Sequence, residues 1–190
     1  MINPNAKKIK KGILFFDQAE NILASELLRI KFDKNFVLDK SIEIPIIIHS
    51  KNIKYKELDF NESFGEIEIV SEKLKNLIGD DDITYSKIKI CNYKTEQNYY
   101  IIKTNNFYDC VDETQSEIEF IKKDNTDSIE WIGKYIKLGK FVIDNNRVGN
   151  AKIFRLEKYF PEIIFREDLI ELIINNSITG IDFINTWESR

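Results

Sequence analysis

From Lys152 to Trp187 the chain carries strand, helix and turn signals in unbroken succession, and no other stretch restricts the fold as tightly. Ile153-Phe154-Arg155-Leu156 reads as a short strand, apolar and bounded by polar residues. Pro161 has no amide proton to give a sheet, which predicts a loop or an edge position. Ile163-Ile164-Phe165 is a second strand candidate. The period then changes: Leu169, Leu172 and Ile173 fall on one helical face, and Ile170 with Ile174 widens it. Glu167 and Asp168 occupy the first turn, where carboxylates favour the positive end of the helix dipole. Asn175-Asn176-Ser177 ends the helix, because asparagine tolerates a left-handed cap. Gly180 permits a tight turn, and Ile181-Asp182-Phe183 alternates as a returning strand.

A second copy of this pattern stands upstream. Shifting Glu72 by 95 positions lands on Glu167. The same shift takes Leu74, Leu77, Ile78, Ile83 and Thr84 to Leu169, Leu172, Ile173, Ile178 and Thr179 without a gap. Two readings stand side by side: two related strand–helix–strand halves, or convergence on one periodic template.

The chain has 190 residues, enough for one domain with a sizeable core. Its 43% hydrophobic and 32% charged residues describe a folded globular protein rather than a disordered one. The net charge is −4 and Lys and Arg form no lasting cluster, which weighs against a nucleic-acid binder and suits a basic partner. Two cysteines, Cys91 and Cys110, make no disulfide framework and read as free thiols in a reducing cytoplasm. Lys7 to Lys11 precede an apolar run at Ile13–Phe16, but Asp17, Gln18 and Glu20 cut it too short for a signal peptide. No stretch approaches the roughly 18 apolar residues of a membrane span.

Elsewhere, Asp17 and Glu20 match a capping box for a helix from about Gln18 to Ile30, with Leu23, Leu27 and Ile30 on one face. Ser41–Ile48 reads as a strand, and Pro45 places it at an edge. Glu66–Val70 is a strand, Ser71 caps the first copy's helix, and Gly79 with Asp80-Asp81-Asp82 closes it. Further strands are expected at Ile88–Ile90, Tyr99–Ile102, Ile118–Ile121, Ile129–Ile136 and Phe141–Ile143, with a turn at Asp144–Asn146. About three helices against eight or more strands predict an α+β fold with a mixed, mostly antiparallel sheet. With no linker composition anywhere, residues 1–190 read as a single domain.

Catalytic material is sparse. One histidine, His49, cannot supply a triad or a histidine-rich metal site, and no glycine-rich phosphate loop or dinucleotide fingerprint occurs. The acids Asp109, Asp112, Glu113 and Glu117 could gather on one side of a loop, so a carboxylate-dependent metal hydrolase or nuclease is the alternative reading. A self-associating scaffold is a third. The acids there, and Asp80-Asp81-Asp82, also read simply as solvated surface.

The order of several short motifs resembles a bacterial immunity-protein family, immunity protein family eleven. They are Tyr99-Tyr100-Ile101-Ile102, then Asp109-Cys110-Val111-Asp112 with Ser116-Glu117, then Ile153-Phe154-Arg155, Glu167-Asp168-Leu169, and Ile178-Thr179-Gly180-Ile181-Asp182-Phe183. The resemblance runs from Tyr99 to Trp187, the more variable residues 1–98 matching only through Val70-Ser71-Glu72. Arg166 departs from the serine that the family prefers before the helix, and Ile121–Asp144 matches poorly. The resemblance implies a non-enzymatic cytoplasmic inhibitor of a cognate secreted toxin, needing no cofactor, metal, nucleic acid or membrane. Asp80, Asp81, Asp82, Phe107, Tyr108, Asp109, Asp112 and Glu113 are the expected toxin-facing residues, the acids suiting a basic, nuclease-type toxin. Tyr55, Phe60 and Phe64 are further candidate aromatic anchors. Tyr100, Asp112, Ser116, Phe154, Arg155, Glu167, Leu169, Gly180 and Phe183 carry the motifs and are expected to be structural.

Overall fold

The computed structural model describes residues 2–4, 16–18, 29–30, 33–38, 43–48, 57–62, 67–183 and 187–188. His49, Tyr55 and Phe64 lie outside them, as does most of the helix expected between Gln18 and Ile30. At its start Gln18, with Asp17 before it, is strand, and at its end Arg29 and Ile30 are helical.

Apolar alternation builds two sheets. The first has six strands in the order β2 (Phe16–Gln18), β3 (Ile44–Ile48), β6 (Ile83–Ile90), β7 (Tyr99–Thr104), β5 (Glu68–Ser71) and β4 (Phe60–Glu62). Only the β3–β6 pair is parallel. The second runs β1 (Ile2–Pro4), β13 (Tyr159–Arg166), β12 (Ile153–Leu156) and β8 (Phe107–Tyr108), with β8 parallel to β12. Two-stranded pairs add β9 (Ile118–Phe120) with β10 (Tyr135–Leu138), and β11 (Val142–Ile143) with β14 (Trp187–Glu188). Two helices are described, α1 (Glu72–Ile78) and α2 (Glu167–Asn175). The fold is α+β with mixed, mostly antiparallel sheets.

The period of two sorts the side chains into three layers. Ile69, Ile101 and Tyr99 point to one face of the first sheet, where they meet Ile30, Leu38 and Ile44. Val70, Ile102 and Tyr85 point to the other, where they meet Ile153, Ile163 and Phe165 of the second sheet and Leu74, Leu169, Ile170 and Ile173 of the helices. Phe154, Leu156 and Ile164 face outward from the second sheet onto Cys110, Val111, Phe141 and Ile143. Arg155 and Glu68 form a buried ion pair in the middle layer, between the sheets.

Several expectations need correction. Pro161 lies inside β13, not in a loop. The β12–β13 register shifts between Arg155↔Ile163 and Leu156↔Tyr159, so the proline falls in a bulge where no ladder amide is required. The buried face of α2 is Leu169, Ile170 and Ile173, while Leu172 and Ile174 are exposed, because α1 and β13 flank the helix on that side. The left-handed residue after α2 is Ser177, with φ of 51°, rather than an asparagine. Ile129–Trp131 is a 3-10 turn, and strand resumes only at Tyr135, since Gly133 turns the chain at positive φ. Ile181-Asp182-Phe183 is not a strand: only Phe183 makes an isolated bridge. The upstream unit is therefore strand–helix–strand, and the downstream one is strand–helix. Pro45 lies in the second strand of its sheet, but the described β2 pairing stops at Ile46, so one flank of the proline has no described partner.

Candidate functional site

Two of the motif segments, Val70-Ser71-Glu72 and Ile178–Phe183, meet at a node built around Asp59. This carboxylate is buried and accepts from the Ser71 hydroxyl at 2.8 Å and from the Thr179 amide and hydroxyl, both at 3.0 Å. The amides of Asp59 and Phe60 donate in turn to the Thr179 carbonyl at 3.1 and 3.0 Å. Ser71 also caps α1 by accepting from the Leu74 amide at 3.1 Å. Gly180 lies against the same segment with φ of +90°, and a Cβ there would stand 2.1 Å from the Phe60 carbonyl oxygen. Only glycine fits. Phe183 packs edge-on against Phe165 at 5.7 Å, and Tyr100 donates to Glu72 at 3.2 Å. Phe154, Arg155 and Leu169 are buried. Ser116 donates to the Asp112 carbonyl at 2.6 Å and accepts the Val142 amide at 2.9 Å. Glu167 opens α2, whose preceding residue Arg166 provides no side-chain cap.

The acidic loop is bound up with itself and with one lysine. Asp109 and Glu113 both meet the Lys158 ammonium, at 3.1 and 2.7 Å, and Glu113 accepts from Tyr135 at 2.8 Å. Lys158 and Tyr135 hold the Glu113 carboxyl below its ordinary range, and Glu113 with Asp109 raises Lys158. Asp112 accepts from the Thr114 hydroxyl and amide and from Gln115, which lowers its carboxyl and makes it a turn residue. Glu117 pairs through its backbone with Gly139 and Lys140. Among the described residues, no three of His, Cys, Asp and Glu are grouped as metal ligands. Burial pushes the Cys110 thiol up to about 12, which suits a packing residue rather than a nucleophile.

The other acidic run behaves differently. Asp82 is a tie: it accepts from the Asn106 side chain at 2.8 Å and from the Lys152 amide at 2.7 Å. Asp80 and Asp81 are exposed. Lys73, at the start of α1, donates to the Ser177 carbonyl beyond the end of α2, so the two packed helices run antiparallel. The end of α1 therefore lies toward the start of α2. The Arg166 amide donates to the Lys152 carbonyl at 2.8 Å, while the Lys152 amide donates to Asp82, which ties Asp80-Asp81-Asp82 to the start of α2. Here an open cleft of about 430 Å³ is lined by Asn145, Val148, Gly149, Arg166, Glu167, Asp168 and Glu171. Arg166 reaches Asp168 at 3.5 Å and the Asn150 carbonyl at 3.1 Å. Phe107 and Tyr108 are half-buried, Tyr108 lying edge-on to Phe154 at 5.4 Å and Phe107 under the Lys103 ammonium at 5.6 Å. Phe60 is buried in the middle layer.

A family model described as an immunity protein family, Imm11, matches residues 1–187. The chain belongs to the Imm11 immunity protein family. No curated protein matches it. The Imm11 match takes in the N-terminal half, which the motifs alone touched only at Val70-Ser71-Glu72.

Two groups that organise this Imm11 chain escape sequence reading. Asp59 carried no signal, because its partner Thr179 is 120 positions away. Lys158 looked like any surface lysine, although it gathers two acids 45 and more positions upstream. That the end of α1, just before Asp80 and Asp81, lies toward the start of α2 also depends on the antiparallel helix pair. The acids at each helix were individually visible.

Proposed function

We propose that this Imm11 protein protects the cell that makes it by binding a cognate secreted toxin and occluding it, without chemistry of its own. The family match over residues 1–187 carries this reading. The cytoplasm of the producing cell is the proposed place of action, and competition between bacteria the proposed setting. No described helix is long and apolar enough to cross a membrane. We take the chain as one domain, in keeping with a middle layer to which both sheets and both helices contribute.

The docking surface proposed here is the acidic end of the helix pair, where Asp80 and Asp81 are exposed after α1, and Asp168 and Glu171, also exposed, line the cleft. The other four expected toxin-facing acids, Asp82, Asp109, Asp112 and Glu113, hold internal partners, and Asp168 in the proposed surface reaches Arg166 at 3.5 Å. A negative surface steers a basic toxin into encounter and selects against like-charged partners. Nothing in the loop from Asp109 to Glu117 favours the hydrolase alternative, since Asp109 and Glu113 are engaged by Lys158 and Asp112 by a turn.

Co-expression is the test. Cells producing the toxin domain encoded beside this gene should survive when this protein is made and die when it is not. Equal killing in both cases, with the protein folded and abundant, refutes the reading.

A further inference from the structure

The turn that follows α1 carries two exposed carboxylates, Asp80 and Asp81, and is fastened on both sides of them. On the helix side, Gly79 turns the chain at φ of 81°, its amide donating to the Lys75 carbonyl at 3.0 Å. The Tyr85 hydroxyl donates to the Gly79 carbonyl at 2.7 Å. Burial raises the Tyr85 phenol, and Asp80 and Asp82 raise it further, so the hydroxyl keeps the proton it donates. The ring is buried in the middle layer, where Tyr100 meets it edge-on at 6.3 Å and the Lys75 ammonium lies over both rings at 5.2 Å.

On the strand side, Asp82 uses both carboxylate oxygens. One accepts from the Asn106 side chain and the other from the Lys152 amide, 24 and 70 positions away. Its carbonyl accepts from the Asn105 amide at 2.9 Å. Asp80 and Asp81 stand between these two fastenings, and neither carboxylate has a hydrogen-bond or ion-pair partner among the described residues.

The bonds of Asp82 stabilise this joint, but two further acids beside it do not, because like charges repel. Holding their backbone at both flanks keeps that repulsion in place. The arrangement has a use in binding: a loop already ordered loses less conformational freedom when a partner arrives.

We propose that Tyr85 and Asp82 are positioning residues for toxin binding, acting through Asp80 and Asp81, whose carboxylates they hold ready for basic groups of the toxin. This rests on the toxin-binding reading above, and it makes Asp82 a support rather than a contact.

A double-mutant cycle with the full chain and the purified toxin domain encoded beside the gene tests it. Asp82→Ala should weaken binding about ten-fold and Tyr85→Phe about three-fold, the range of coupling between neighbouring residues. In the D80N/D81N background both losses should vanish, because the charges being positioned are gone. A merely structural role weakens binding equally in both backgrounds, and that result overturns the proposal. Undiminished binding by both single variants overturns it too. Tyr85→Phe keeps the ring, so it decides alone should Asp82→Ala fail to fold. Equal binding by the natural protein and D80N/D81N overturns the positioning role and leaves the toxin reading standing. No binding by the natural protein overturns both.

Discussion

Replacing Gly180 with alanine tests the clamp that joins the C-terminal motif to the N-terminal half. Two costs combine. A non-glycine residue at φ of +90° is strained by about 1–2 kcal/mol. The added Cβ would stand 2.1 Å from the Phe60 carbonyl oxygen and 3.0 Å from the Leu58 Cβ, so backbone must move by about an ångström. Overpacking of this kind costs about 1–3 kcal/mol. Together they predict a loss of about 2–5 kcal/mol, or a fall in Tm of about 5–15 °C at this chain length. Gly79 supplies the control, since its φ is +81° and nothing lies within 4 Å of a Cβ there. Gly79→Ala should therefore cost only the conformational part, about 1–3 kcal/mol at its ψ of −173°. Urea unfolding of both variants, compared at unchanged slope, reads the difference directly. If Gly180→Ala is no more destabilising than Gly79→Ala, the close approach of Gly180 to Phe60 is not a feature of the folded protein.

Other expectations follow from the same geometry. Asp59→Ala strips the Ser71 hydroxyl and the Thr179 amide and hydroxyl of their acceptor, and should cost about 3 kcal/mol by urea unfolding. Arg155→Ala leaves Glu68 buried without its cation and should cost about 3–5 kcal/mol, whereas the double variant R155M/E68L should recover most of that in a thermal melt. Glu113 is held below its ordinary range by Lys158 and Tyr135. Its contribution is therefore complete above the unfolded value of about pH 4.3 and lost as pH falls through the lower folded value. Lys158, raised by Glu113, contributes below about pH 10.4 and loses that contribution as pH climbs through its raised folded value. Urea midpoints of natural protein and Glu113→Gln, measured from pH 2 to 7, should converge at the acid end, by a small amount because both side chains are over or near a third exposed. The variant D80N/D81N/D168N/E171Q should slow association with a basic toxin domain about ten-fold at low salt and flatten its salt dependence, as stopped-flow mixing would show.

Local order was legible wherever one residue's neighbours decide its state. Ser71 announced its cap, and the strands over Ile153–Leu156 and Tyr99–Ile102 followed from apolar runs. What the sequence could not yield depends on distant partners. The face of α2 was ambiguous because spacings of three and four admit Leu172 as readily as Ile170, and only α1 and β13 settle which is covered. The motif Thr179-Gly180 reads in sequence as a turn into a strand, yet its bonding groups go to Asp59 and Phe60 instead. The acids from Asp109 to Glu117 looked equivalent in sequence to Asp80-Asp81-Asp82. Lys158, brought alongside by the β12–β13 turn, engages Asp109 and Glu113, whereas Asp80 and Asp81 are exposed.

Titration calorimetry of this protein into the purified toxin domain from the adjacent gene, with the toxin's activity followed in the same samples, bears most directly on how the molecule works. A saturable complex of fixed stoichiometry is expected, in which toxin activity falls in step with occupancy. Heat no greater than dilution, with the toxin fully active beside an excess of folded protein, would contradict it.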